Sequence, residues 1–157
     1  MFRKIIYARP RKTNETGSGY TFQTSYNPND TLTMLTSTYN VPSGKTVIIR
    51  NITLAEYYAS QLIASSAGDL YGSPYIRIGD LYIIHTPSEA IVFTISGGGT
   101  ANNFWKRGIF ANLQLFLVAY GGDTIEIGLI IRGKYANITL PNGHYHEATV
   151  MVTGVEI

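Results

Sequence analysis

The sequence predicts an all-β protein: a single jelly-roll-like β-sandwich or barrel of eight to ten strands. Three observations carry this. Short apolar runs, often alternating, are cut by Gly, Pro, Asn, Asp and Ser clusters roughly every ten to fifteen residues, the spacing of a sandwich or barrel. Helical periodicity is nearly absent. Pro10, Pro28, Pro42, Pro74, Pro87 and Pro141 all lie between the runs, where loss of a backbone donor costs nothing. A length of 157 residues suits one domain, spanning 1–157, with interior enough to fold without staples.

In chain order, strands are expected at 4–8, 20–26, 31–38, 46–55, 75–78, 81–85, 90–95, 124–132 and 148–155. The clearest is 124–132, where Ile125, Ile127, Leu129 and Ile131 share one face and Glu126, Gly128 and Arg132 the other. Before it, Leu113, Leu115 and Leu117 alternate with Gln114, Phe116 and Val118. Both faces of that run are apolar, which places it centrally or against a partner. Gly121-Gly122-Asp123 supplies a turn, so the two runs read together as a hairpin. Gly79-Asp80 marks a second hairpin between Ile78 and Leu81. Residues 55–67 fit either a short connecting helix or a strand end followed by a loop. Loops are expected at 9–19, 60–73, 96–103 and 135–145, with the glycine tract at 96–100 mobile. No repeat and no second domain is visible.

Cysteine is absent, which excludes disulfides and thiolate metal sites. The basic amino terminus has too short an apolar run for a secretory signal, so synthesis in the cytosol is expected. Charged residues make up 14% of the chain against about 25% in an ordinary soluble domain. Ser, Thr, Asn, Gly and twelve tyrosines replace them. A surface poor in charge and rich in Tyr suits an assembly whose subunits cover one another. The net +2 is unevenly spread: Arg3, Lys4, Arg9, Arg11 and Lys12 make the first twelve residues strongly basic, with no acid before Glu15. Residues 1–19 therefore read as a basic strand or arm plus a linker. Such an arm fits contact with phosphate, or a solvated sheet edge that tolerates charge.

Candidate chemistry is thin. Ser43-Gly44-Lys45-Thr46 lacks the upstream glycine of a phosphate loop, that position being Tyr39, and it leads into a strand. His144 and His146 would need a third ligand, His85 or a carboxylate, to hold a metal. There is no nucleophile elbow and no singled-out carboxylate pair, so neither catalysis nor a cofactor is expected. Tyr57, Tyr58, Tyr71, Tyr75 and Tyr82, with Trp105, are the residues for a sugar-stacking platform. The ordinary reading is that tyrosine suits strands and interfaces. Trp105 beside Lys106-Arg107 fits a subunit contact as well as a ligand. Sequons begin at Asn14, Asn29, Asn51 and Asn137 and are expected to stay unmodified.

Two stretches carry a resemblance: Val41-Pro42-Ser43-Gly44-Lys45-Thr46-Val47-Ile48-Ile49-Arg50-Asn51-Ile52-Thr53-Leu54 and Leu117-Val118-Ala119-Tyr120-Gly121-Gly122-Asp123-Thr124-Ile125-Glu126-Ile127. A proline-glycine turn feeding a long strand, then a late Gly-Asp turn feeding another, resembles single-jelly-roll capsid proteins. The type most similar is the smaller major capsid protein of membrane-containing icosahedral Thermus phages. The resemblance implies a virion protein that assembles with itself, as a homodimer, and with a second coat protein over an internal viral membrane, without specific nucleic acid. The residues expected at interfaces are Arg3, Lys4, Ile5, Ile6, Tyr7, Arg9, Arg11, Lys12 and Trp105. Exchange of the strand at 4–8 through a flexible linker at 13–19 would give a swapped dimer. The rival reading is a carbohydrate- or receptor-binding module such as a viral spike or fibre head. A third is a small metalloenzyme using His85, His144 and His146.

Overall fold

The computed structural model describes residues 2–22, 32–66, 68–84, 91–95, 99–134 and 137–157. Twelve strands run through them: β1 (Phe2–Ala8), β2 (Arg11–Thr13), β3 (Tyr20–Thr21), β4 (Met34–Asn40), β5 (Thr46–Ala64), β6 (Gly68–Ile78), β7 (Leu81–Ile84), β8 (Ile91–Ile95), β9 (Gly99–Tyr120), β10 (Thr124–Lys134), β11 (Ile138–Leu140) and β12 (Tyr145–Glu156). No helix occurs among the described residues. The fold is therefore all-β, with more strands than expected because β2 and β11 occupy predicted loops, while β3 opens the strand expected at 20–26. Residues 96–98 of the glycine tract, and most of the run at 20–26, lie outside the described residues.

A seven-stranded sheet has the order β1-β12-β5-β11-β3, with β2 also on β12 and β9 also on β5. A five-stranded sheet has the order β4-β10-β6-β7, with β8 also on β6. Their facing sides make the core of a two-layer sandwich. Ile49, Ile52, Leu54 and Leu62 of β5 and Val150 and Val152 of β12 meet Leu35, Leu70, Ile76, Ile125, Ile127, Leu129 and Ile131 from the other sheet. Each such side chain contributes about 1.5–3 kcal/mol of burial. As the alternation requires, the inward set of β10 is the one read from the sequence.

Three expectations are corrected. Residues 55–64 are neither helix nor loop; they continue β5, because Tyr57, Ala59, Leu62 and Ala64 all find buried positions along it. The runs on either side of Gly121-Gly122-Asp123 do not pair as a hairpin. β9 pairs with β5 in one sheet, while β10 pairs with β4 and β6 in the other, so the turn crosses between layers. It is held there by the turn before β5: Val41 N donates to Asp123 O (2.9 Å) and Gly122 N to Val41 O (3.0 Å). A side chain at Gly121 would run into Pro42 O and Gly44 N, so the two turns interlock only with glycine there. Thus the two stretches that carried the family resemblance meet at one end of the sandwich. The Gly79-Asp80 hairpin forms as expected, with Ile78 opposite Leu81.

The third correction concerns the amino terminus. β1 pairs with β12 of its own chain over seven residues, Phe2 opposite Glu156 through Ala8 opposite Val150. β2 resumes the same pairing after Pro10, with Lys12 opposite His146. The expected linker is not free. Asn14 is fully buried; its Nδ2 donates to Leu140 O (2.8 Å) and Ser18 O (3.2 Å), and its Oδ1 accepts from the Thr16 hydroxyl (2.8 Å). Its backbone N donates to His144 O, and Gly143 N donates to its carbonyl. Residues 14–18 are thus held in an ordered turn against the 140–144 connection.

A candidate interaction face

The outward side of the seven-stranded sheet is built by register. Across β1, β12, β5 and β9, Tyr7 stands opposite Met151, Met151 opposite Thr53, and Thr53 opposite Asn112. The next row is Ile5, Thr153, Asn51 and Gln114. The row after it is Arg3, Val155, Ile48 and Val118. Ile5 is 55% exposed, Tyr7 57%, Phe116 59% and Tyr120 63%. The Arg50 guanidinium lies over the Phe116 ring at 4.6 Å. Apart from Arg3 and Arg50, the residues between these apolar side chains are uncharged and amide-rich. Asn51 donates to Asn112 and accepts from the Thr53 hydroxyl.

Further along β12 the face changes character. Arg9, Tyr58, Trp105, Tyr145 and Glu147 line a shallow cleft of about 230 Å³. The pairing of β5 with β12 and β9 sets Tyr58 beside Glu147 and Trp105. Tyr58 meets Trp105 edge-on (centroids 6.4 Å apart, 89°) and Tyr145 at 5.4 Å and 38°. The Arg11 guanidinium caps the Tyr145 ring at 3.4 Å. Arg9 Nη2 lies 3.3 Å from Glu147 Oε1 and 3.5 Å from Glu56 Oε2, and the Thr149 hydroxyl donates to Glu56. The Tyr58 hydroxyl donates to Asn103 Oδ1 (3.0 Å), and the neighbouring Tyr145 raises its pKa above the ordinary phenol value.

The expected interface residues divide. Arg3, Ile5 and Tyr7 point outward on β1, while Arg9, Arg11 and Trp105 gather at the cleft. Ile6 is a correction: it is only 8% exposed and belongs to the core, because alternation along β1 turns it inward with Ala8. Lys4 sits at the sandwich rim, 3.5 Å from Glu156 and 5.1 Å from the Tyr39 ring centroid. The Tyr39 hydroxyl, then the Glu156 charge, hold its ammonium above the usual pKa. Lys12 is half-buried on β2. Of the arm's five cations, Lys4 pairs with Glu156 and Arg9 with Glu56 and Glu147, so part of the arm's charge is answered within the chain.

The tyrosine platform also divides. Tyr57, Tyr71 and Tyr75 are buried, Tyr58 lines the cleft, and the Tyr82 side chain lies outside the described residues. His146 is fully buried against Phe22 and Tyr57, sharing a 3.2 Å hydrogen bond with the Tyr57 hydroxyl. Burial pulls its pKa down to about 3, the Lys12 charge adds to this, and the Leu32 backbone opposes it. His144 instead shares a hydrogen bond with the Ser60 hydroxyl (2.9 Å). Among the described residues no group of three metal-ligating side chains converges, and His85 is outside them. Ser43-Gly44-Lys45 forms a turn into β5, as its context required. The sequence had not singled out Tyr145, Glu147 or Glu56, which reach the cleft only through strand register. Phe116 carried a signal, since its run was apolar on both faces.

No family model matches the chain, and no curated protein does. Among solved structures it is similar to dimeric latent PorU from Porphyromonas gingivalis (10% identity, 98% of this chain, 13% of that one, TM-score 0.40). It is also similar to infectious bursal disease virus, Gx strain (10% identity, 98% and 41%, TM-score 0.24). A third likeness is to a family two carbohydrate esterase from Cellvibrio japonicus (10% identity, 96% and 35%, TM-score 0.17). The chain spans well under half the length of each, and the likeness extends no further than a β-rich fold.

Proposed function

We propose that this chain is a structural building block of a viral shell, a coat subunit that packs against copies of itself and a second coat protein. The observation that carries the reading is the outward side of the seven-stranded sheet. Ile5, Tyr7, Phe116 and Tyr120 stand more than half exposed there, among uncharged Asn, Gln and Thr. Lone exposed apolar residues need no explanation, but a shared face of them marks an interaction surface. Its composition, aromatic and amide-rich with Arg3 and Arg50 as its charges, is that of a protein–protein interface, where Arg is enriched and Lys, Asp and Glu are depleted. The sheet borders add to this. Among the described residues β1 pairs only with β12, and the 22-residue β9 pairs only with β5. Long sheet borders are where a neighbouring strand can add.

The partner this favours is protein. A lipid headgroup would seek the arm's cations, two of which, Lys4 and Arg9, are already engaged by Glu156 and by Glu56 and Glu147. The dimer of this reading packs face to face or edge to edge and retains β1 in its own chain. Covalent surface labelling at rising protein concentration tests it. Labelling of Ile5, Tyr7, Phe116 and Tyr120 falls as the face is covered; equal labelling at every concentration contradicts the reading.

A further inference from the structure

We propose that the cleft between Arg9, Tyr58, Trp105, Tyr145 and Glu147 is a binding site for a neutral sugar, taking one ring against its aromatic wall. This goes beyond the shell reading and does not depend on it. Glu147 and Met151 are four positions apart on β12, about 13 Å at the rise of a strand, so cleft and apolar patch are separate parts of the face.

Size and chemistry select the ligand class. A volume of about 230 Å³ lies below the roughly 300–1,000 Å³ of sites for drug-sized molecules, and suits a single ring at the end of a chain. Trp105 is 50% exposed, at right angles to Tyr58 with Tyr145 tilted against it, which offers an aromatic corner for the C–H face of a pyranose. The polar wall is a paired cation and anion, Arg9 and Glu147. A charged ligand would have to break that pair or face one member of like sign. Adjacent hydroxyls of a neutral sugar can accept from the guanidinium and donate to the carboxylate with the pair intact.

The walls are set in advance. Arg9 is held between Glu56 and Glu147, Arg11 caps the far side of Tyr145, and the Tyr58 hydroxyl is tied to Asn103. Asn103 has φ 47, a left-handed conformation that non-glycine residues seldom adopt, two residues before Trp105. Such outliers gather where a backbone is shaped around a ligand. Preorganised walls reduce the ordering cost that limits weak ligands.

Trp105 is the single tryptophan, so its fluorescence reports on the cleft alone. The full chain is titrated with glucose, galactose, mannose and N-acetylglucosamine up to ~100 mM, and with glucosamine and glucuronate as charged analogues. At least one neutral sugar should give a saturable change with a Kd on the order of millimolar. E147Q and Tyr145→Ala, each checked for folding by circular dichroism, should weaken it at least about tenfold, as loss of one polar or stacking contact does. Phe116→Ala, outside the cleft, should leave it unchanged. The proposal is overturned if no neutral sugar gives saturation, if the charged analogues bind as tightly, or if E147Q and Tyr145→Ala bind like the parent. It is equally overturned if the emission follows protein concentration instead of sugar, since the cleft is then a subunit contact.

Discussion

On the five-stranded sheet the residues that alternate away from the core, Ser73, Tyr75 and Ile130, are completely buried. On the seven-stranded sheet the corresponding residues of β1 and β9, Ile5, Tyr7, Phe116 and Tyr120, stand more than half exposed. The polar groups follow the same division. Tyr75 lies across Gly128 and joins Thr36 and Glu126 through its hydroxyl, and Arg132 Nη2 donates to Ser73 (3.2 Å). Outside the other sheet, Asn and Thr hydrogen-bond to one another at the surface. The first face buries Ser73, Tyr75 and Ile130 within the chain, and among the described residues the second leaves its apolar side chains uncovered. Substitutions should therefore act on stability on the first and on association on the second.

The largest effect is expected at Gly128. A Cβ there would come within 1.9 Å of Leu35 O and 2.8 Å of the Tyr75 ring. Gly128→Val should cost about 3 kcal/mol or more in urea unfolding, because backbone cannot move aside. If it is tolerated, the five-stranded sheet is not sealed as described.

Acid should act next, through the interior that the two sheets share. His146 is kept neutral in the fold, with its pKa at about 3, and would take up a proton near pH 6.5 when unfolded. Its contribution is fully present above about pH 6.5 and is lost as pH falls toward 3, at up to about 1.4 kcal/mol per pH unit. His146→Gln should flatten that part of the stability curve. An unchanged slope would mean that another group governs it.

Smaller effects sharpen the contrast. Asn14→Ala strands the buried Leu140 carbonyl and frees Thr16 and Ser18, and should cost about 2 kcal/mol, read from the same unfolding curves. Tyr75→Phe removes only a hydroxyl and should cost about 1 kcal/mol. Ile5→Glu and Phe116→Glu should change stability by less than about 0.5 kcal/mol while altering association.

The fold class was legible because period-2 alternation and turn residues are local signals: the inward set of β10 and the Gly79-Asp80 hairpin follow from them directly. Which sheet each strand joins was not legible. The turn at 121–123 reads as a hairpin, and only its contact with Val41 and Pro42 reveals a crossing between layers. The tail of β5 was ambiguous because Ala, Glu, Gln and Leu favour helix, and its burial opposite β9 overrides that propensity. Half of the cleft was legible, through Trp105 and the basic arm. Its other half, Tyr145 and Glu147, depends on register between strands far apart in sequence. The arm itself misled as to charge, since its acidic partners come from β5 and β12.

The most direct test of an interface on the seven-stranded sheet is absolute mass by light scattering on a sizing column, for the parent and the Ile5→Glu/Phe116→Glu double variant, over a range of protein concentration. The parent should be a dimer or larger and the double variant a folded monomer. A parent that is monomeric throughout, or a double variant that assembles as the parent does, would contradict the claim.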